Sequence, residues 1–218
     1  MSNNEGSIYE YMNGKYGEDT AKKLFAYLDM VLERNRHINL TAVRDRDEAI
    51  VKHLLDSLAL TDLPEYKAAK KIIDVGTGAG FPGALLAIAS PDKEFVLLDS
   101  TLKRLRVIDE FAEALGIENL TTFHARAEEI NRKPEYCGAF DLCVSRAVAN
   151  LDTLSKWCVP FVRKGGCFIA YKGEAYEEEL RAAAGTLKKL GAGLRRAESY
   201  TDVPEEISGH VLLVISKQ

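Results

Sequence analysis

Cysteine is scarce in this chain: Cys137, Cys143, Cys158 and Cys167, with no C-x-x-C pair among them. That spacing gives no basis for a thiolate metal site, and none is expected. Three of the four sit in apolar surroundings, as small buried thiols of a reducing cytoplasm do. No uninterrupted apolar run approaches the ~20 residues of a membrane span. No signal peptide is expected, and the polar stretch Met1 to Gly6 is expected to fray. A surplus of positive charge is also missing. Lys and Arg number 29 against 33 Asp and Glu, a formal net charge of −4. Sequence-independent nucleic-acid binding rests on basic charge, so a generic coat protein is excluded. Any nucleic-acid partner must be met by a local patch. Internal repeats and low-complexity segments are absent.

What is present is a soluble globular composition in 218 residues, enough for one sizeable α/β domain plus an appendage. Its densest signal is Asp74-Val75-Gly76-Thr77-Gly78-Ala79-Gly80-Phe81-Pro82-Gly83. An apolar run, Ile72-Ile73, precedes it and a helix-like run, Ala84 to Ala89, follows. Strand, glycine turn and helix together present backbone N–H groups to a nucleotide-like ligand. Gly76, Gly78 and Gly80 carry no Cβ, so a ligand can lie against the main chain. Asp99 closes the next apolar run, where a carboxylate would hold a ribose diol. The spacing is acid-x-G-x-G-x-G, not the dinucleotide G-x-G-x-x-G, and so favours S-adenosylmethionine (SAM) over a nicotinamide or flavin dinucleotide. Asp74 either fixes the turn or meets the ligand's ammonium through water. Phe81 either packs on the ligand or staples the helix to the core. Asp99 is free for the ligand if Ser100 or Thr101 caps the following helix.

The rest of the chain reads in two parts. Residues 7–63 look helical, with Leu24, Leu28, Val31 and Leu32 on one face of a helix from about Asp19 to Arg36. Asp45 or Asp47 would cap a second helix whose stripe is Ile50, Val51, Leu54, Leu55 and Leu58. From Lys71 strands and helices alternate, which predicts a parallel sheet with right-handed crossovers. The strand candidates are Lys71–Val75, Glu94–Asp99, Leu120–His124, Phe140–Ser145 and Cys167–Tyr171. The helix candidates are Pro82–Ala89, Leu102–Leu115, Leu151–Val162 and Ala175–Leu190. Two late runs, Leu194–Tyr200 and His210–Ser216, finish the sheet, the last as an antiparallel edge pair.

In order along the chain stand Asn39-Leu40-Thr41, His53 with Asp56-Ser57-Leu58, the glycine turn, Asp99-Ser100, Ala127-Glu128, Ser145-Arg146-Ala147 and Tyr171-Lys172-Gly173. In this combination the chain resembles the RsmG (GidB) family of bacterial methyltransferases from about Tyr9 to its end. The resemblance implies a class I SAM-dependent methyltransferase fold, Rossmann-like, with a seven-stranded, mostly parallel sheet. It implies a small helical N-terminal extension, residues 1–64, before a SAM-binding domain, residues 65–218. The implied activity is methyl transfer from SAM to N7 of a guanine in 16S ribosomal RNA, with the RNA, the 30S subunit or an assembly intermediate as partner. The implied cofactor residues are Gly76, Gly78, Gly80, Phe81, Asp99, Ser100, Ala127, Glu128 and Arg146, the last at the boundary with the substrate. From their positions, Arg36, Asn39, His53 and Lys172 are the expected substrate contacts, within a basic rim that also draws on Arg34, Lys103, Arg104, Arg106, Arg126, Arg132 and Lys133. A cytoplasmic monomer with no membrane association is expected.

Guanine N7 offers a lone pair and carries no proton to remove. No catalytic base or nucleophile is therefore expected; alignment carries the rate. The stretch after the fourth strand, Ser145-Arg146-Ala147-Val148, holds neither the Asn/Asp-Pro-Pro-Tyr motif of amine methylation nor the Pro-Cys pair of cytosine chemistry. Two other readings remain at this stage: a methyltransferase for a small molecule or protein, and a SAM-binding RNA module without activity.

Overall fold

The computed structural model describes residues 3–200, 207 and 209–218. Five helices precede the first strand. Helix α1 (Asn3–Tyr16) runs through Gly6, so the expected fraying does not extend over Asn3 to Gly6; Met1 and Ser2 lie outside the described residues. Helix α2 (Glu18–Asn35) buries Leu24, Tyr27, Leu28 and Val31, the i, i+3, i+4, i+7 stripe of an amphipathic helix. Asp45, not Asp47, caps α3 (Arg46–Ala49) by accepting from the Glu48 N–H at 2.9 Å. The helix then widens into a π turn, Ile50–Leu55, before α4 (Asp56–Leu58), a 3₁₀ turn Ala59–Asp62 and α5 (Pro64–Ala68). The expected stripe thus spans two helical geometries, π then α, and leaves Leu55 only partly buried.

The sheet strands are β1 (Lys71–Val75), β2 (Glu94–Asp99), β3 (Leu120–His124), β4 (Phe140–Arg146), β5 (Val162–Lys172), β6 (Ala192–Ser199) and β7 (Val211–Lys217). Their order is β3-β2-β1-β4-β5-β7-β6. The first five pair in parallel, and β7 enters antiparallel between β5 and β6, leaving β6 at the edge. Between the strands lie α6 (Gly83–Ala89), α7 (Leu102–Leu115), α8 (Ala127–Ile130), α9 (Leu151–Cys158) and α10 (Tyr176–Lys189).

The helix expected over Leu151–Val162 stops at Cys158. Pro160 cannot donate a backbone bond, and a 3₁₀ turn, Val159–Phe161, feeds the chain into β5 at Val162. Strand β5 is longer than the expected Cys167–Tyr171 because Gly166 passes close to β4. A Cβ there would sit 2.5 Å from the Asp141 carbonyl oxygen.

Side chains alternate across the sheet and divide the interior into two layers. Ile72, Leu97, Leu142 and Ile169 pack with Leu24, Leu28 and Val31 of α2 and with Leu85 of α6. Ile73, Leu98, Cys143, Phe168 and Leu213 pack with Leu154 of α9 and Leu187 of α10. The N-terminal helices therefore cover one face of the sheet and share its core. Strand order reverses between β1, which turns to β2, and β4, which turns to β5. Ligands of open α/β sheets bind in the crevice at that point, beyond the carboxyl ends of the strands.

Candidate active site

The chain leaves β1 through Val75 into the glycine turn. Asp74 is buried, and its Oδ2 accepts from the Thr77 hydroxyl at 2.7 Å and from the Gly83 N–H at 2.9 Å. It therefore ties both ends of the turn together. Its Oδ1 is inaccessible and has no hydrogen-bond partner among the described residues. Burial outweighs these bonds and the Arg146 charge, and pushes the carboxyl up to about 6. Asp99 accepts from the Gly78 N–H at 2.9 Å and the Thr101 N–H at 2.8 Å. Neither Ser100 nor Thr101 takes over the capping: Thr101 is the cap residue of α7, and its side chain makes no capping bond. Asp99 thus braces the turn and the start of α7 while keeping two oxygens, each with acceptor capacity to spare.

A cavity of 560 Å³ opens beside this turn, a size usual for small-molecule sites. Gly76, Gly78, Phe81, Asp99, Ser100, Ala127, Glu128 and Arg146 all line it, as does His53. A Cβ on Gly78 would meet nothing within 4 Å, so the main chain there is open to a ligand. At Gly76 the space is taken by Val148, 2.6 Å from where a Cβ would be. Gly80 is buried and does not line the cavity. The open backbone at Gly78 and the spare acceptors of Asp99 suit a ligand with a diol and a cationic tail, and the residues present fit SAM.

A second cavity, of 790 Å³, adjoins the first; His53, Arg146, Ala147 and Val148 line both. Ala147 adopts φ 54°, the left-handed region that side chains rarely enter. Strain of this kind collects at functional sites. Lys172 lines the second cavity, not the first, and donates to Glu179 at 2.7 Å and to the Ala149 carbonyl at 2.8 Å. Arg36 is exposed, pairs with Glu33 at 2.9 Å and lines neither cavity. Asn39 is likewise exposed and outside both. The expected set of substrate contacts is therefore split: His53 and Lys172 reach the crevice, Arg36 and Asn39 do not. Of the basic rim, Arg104 and Arg126 line the first cavity. Lys103, Arg106, Arg132 and Lys133 are exposed and, among the described residues, make no ion pair.

Arg146 ends β4 and reaches into the N-terminal helices. Its guanidinium donates to Asp56 at 2.6 Å and to the Lys52 carbonyl at 3.0 Å, and the pair is almost wholly buried. Asp56 also meets the Tyr200 hydroxyl and His210 Nδ1, each at 2.9 Å. Burial alone would raise the Asp56 carboxyl. The His210 bond and the Arg146 charge outweigh it and hold the group below its ordinary value. His53 stacks on Phe81 with ring centroids 4.5 Å apart, and its Nε2 meets the Thr41 hydroxyl at 2.7 Å. Burial and the Arg146 charge push its imidazole down to about 4, so it is neutral at pH 7. The sequence signal for Asp56 is a lone carboxylate on an otherwise apolar helix stripe.

The family model described as rRNA small subunit methyltransferase G matches residues 20–205. The ribosomal RNA small subunit methyltransferase G of Clostridium novyi is 37% identical, over 99% of this chain and 91% of its own. That of Moorella thermoacetica is 45% identical, over 78% of this chain and 71% of its own. Among solved structures, an O-methyltransferase from Bacillus cereus in complex with SAH superposes with a TM-score of 0.60 at 16% identity, covering 88% of this chain and 91% of that one. A putative O-methyltransferase from Klebsiella pneumoniae gives 0.61 at 19%, covering 88% and 90%. These last two share the fold. With the glycine turn, the Asp99 brace and the Arg146 end of β4 all bordering the crevice, and with relatives matching along nearly the whole chain, this protein belongs to the rRNA small subunit methyltransferase G family.

Proposed function

We propose that this protein transfers a methyl group from SAM to N7 of a guanine in 16S small-subunit ribosomal RNA. The observation that carries the reading is the family match over residues 20–205, centred on a crevice whose lining fits SAM. Residues 65–218 hold the cofactor in this reading, and residues 1–64 form the extension that helps receive the RNA. The substrate is the RNA itself, a 30S subunit or an assembly intermediate, and the enzyme works as a cytoplasmic monomer.

When bound, SAM supplies an electrophilic methyl group on a positively charged sulfur. Asp99 holds the ribose hydroxyls through charge-assisted bonds, on the order of 1.5–3 kcal/mol. Gly78 lets the ligand lie on the main chain, and Ala127 with Glu128 borders the adenine. The acceptor nitrogen needs no base, and none is poised to act among the described residues. His53 is neutral but already engaged by Thr41, and Asp74 is sealed under the turn. The guanine gains positive charge as the methyl arrives, so a bare cation beside it would oppose the reaction. Asp56 neutralises Arg146 within the same wall, which leaves Arg146 to orient groups without adding net charge. The remaining contribution is alignment of donor and acceptor, worth roughly 7–11 kcal/mol when geometry is right.

The test is transfer of label from tritiated SAM to 16S RNA or 30S particles. Release of labelled 7-methylguanosine on digestion is the expected result. Label confined to a small metabolite or a protein sinks the RNA reading.

A further inference from the structure

The third glycine of the turn does not face the crevice. Gly80 is buried, has φ +91°, and borders Tyr27 of α2 instead. A Cβ on residue 80 would lie 2.1 Å from the Tyr27 hydroxyl oxygen and 3.1 Å from the carbon that bears it. That hydroxyl donates to the Ala79 carbonyl at 2.9 Å, inside the core. Tyr27 is fully buried, and its ring meets Phe81 edge-on at 6.1 Å and Phe111 edge-on at 5.7 Å. The phenol is thus clamped on both sides while its tip reaches the main chain between Gly78 and Phe81. Burial, with the Asp74 and Asp109 carboxylates nearby, keeps it protonated and so a donor.

The carbonyl it holds belongs to the residue directly after Gly78, the glycine whose open main chain faces the cavity. Without the hydroxyl, the Ala79 carbonyl would be buried without a donor from this side, and an unpartnered buried carbonyl drives local rearrangement. We propose that Tyr27 is a positioning residue of the cofactor turn: its hydroxyl occupies the space vacated by the missing Cβ of Gly80 and fixes the Gly78–Phe81 backbone, so that helix α2 sets the affinity for SAM. The third glycine of the motif then serves the N-terminal helices, not the ligand. This inference rests on the reading of the turn as a SAM site.

The experiment is a two-residue cycle read by calorimetric titration with SAM and by steady-state transfer to 30S particles. Wild type, Tyr27→Phe, Gly80→Ala and the double variant are compared. Tyr27→Phe keeps the ring and removes one oxygen, so it should fold. Its dissociation constant for SAM should rise about three- to tenfold, while KM for the RNA at saturating SAM stays within twofold. A general loss of stability would not separate the two substrates in this way. Gly80→Ala should bind SAM more weakly still, since it meets both the hydroxyl and an unfavourable φ. Removing the hydroxyl relieves the first of these, so the double variant should bind at least threefold more tightly than the product of the single losses predicts. Unchanged SAM affinity in Tyr27→Phe, or strictly multiplicative losses in the double variant, overturns the proposal while leaving the SAM site in place. Failure of the wild type itself to bind SAM overturns both.

Discussion

Replacing Asp56 with Ala tests the buried hub of the site. Asp56 and Arg146 side chains are 3% and 12% exposed, and their ions are 2.6 Å apart. Removing one partner of such a pair strands the other charge in a desolvated wall, at a cost of about 3–5 kcal/mol. The Tyr200 and His210 bonds to the same carboxylate disappear with it. For a chain of this size each kcal/mol corresponds to about 2–4 °C, so the melting temperature should fall by roughly 6–20 °C. Thermal unfolding at pH 7 followed by calorimetry measures this. The exposed Arg36–Glu33 pair supplies the contrast, with side chains 74% and 63% exposed. Glu33→Ala should cost about 0–1 kcal/mol. Replacing both buried partners, Asp56→Leu with Arg146→Met, should recover more than half of the lost stability because no lone charge remains. It should not recover methyl transfer. If Asp56→Ala melts within 2 °C of wild type, the pair is energetically a surface pair and the hub reasoning is wrong.

Asp99→Ala should weaken SAM binding by about 1.5–3 kcal/mol, some ten- to hundredfold by titration, because it loses the ribose acceptor and the Gly78 brace together; a folded variant with unchanged affinity reduces Asp99 to a turn brace. His53 and Asp74 should oppose one another between pH 4 and 6.5. The imidazole, depressed to about 4, contributes stability present above pH 6.5 and lost as pH falls toward 4. The carboxyl, raised to about 6, contributes stability present below its ordinary 3.8 and lost as pH rises through 6. Each amounts to about 3 kcal/mol, so urea unfolding of Asp74→Asn should show a steeper loss on acidification and His53→Gln a gain; identical profiles for both variants and wild type contradict the assignment. Lys103→Glu, which reverses an exposed cation beside Arg104 that makes no ion pair among the described residues, should weaken RNA binding and make the slope of log affinity against log salt shallower by about 1, with SAM affinity unchanged; an unaltered slope removes Lys103 from the RNA path.

Much of the sheet was legible from local pattern. Strands β1, β2 and β3 and helix α7 run over the expected residues: β1 and β2 are short apolar runs closed by glycine or polar residues, and α7 buries one stripe, Leu105, Ile108 and Phe111, of an amphipathic helix. Strand β5 was misread at its start, since Val162 continues an apolar helical pattern and only Pro160 and the close pass of Gly166 under Asp141 decide otherwise. Much of the first cavity's lining comes from one contiguous turn plus strand ends, which chain order reveals. What was not legible is contact between distant segments. Asp56 meets Arg146 90 residues further on and His210 154 residues further on, and no spacing rule links them. For the same reason Gly80 reads as a ligand glycine in the sequence, although Tyr27, 52 residues before Ala79, fills its space in the fold. Charge was misleading where it was paired: Lys172 and Arg36 look alike in sequence, yet one is buried against Glu179 and the other lies in solvent.

The most direct measurement of the central claim is nucleoside mass analysis of 16S ribosomal RNA from cells lacking this protein, and from the same cells carrying wild type or Asp99→Ala. The account predicts that 7-methylguanosine at one position is lost in the deletion, restored in full by wild type and restored poorly by Asp99→Ala at equal protein level. Full 7-methylguanosine in the deletion strain, with no other enzyme supplying it, contradicts the account.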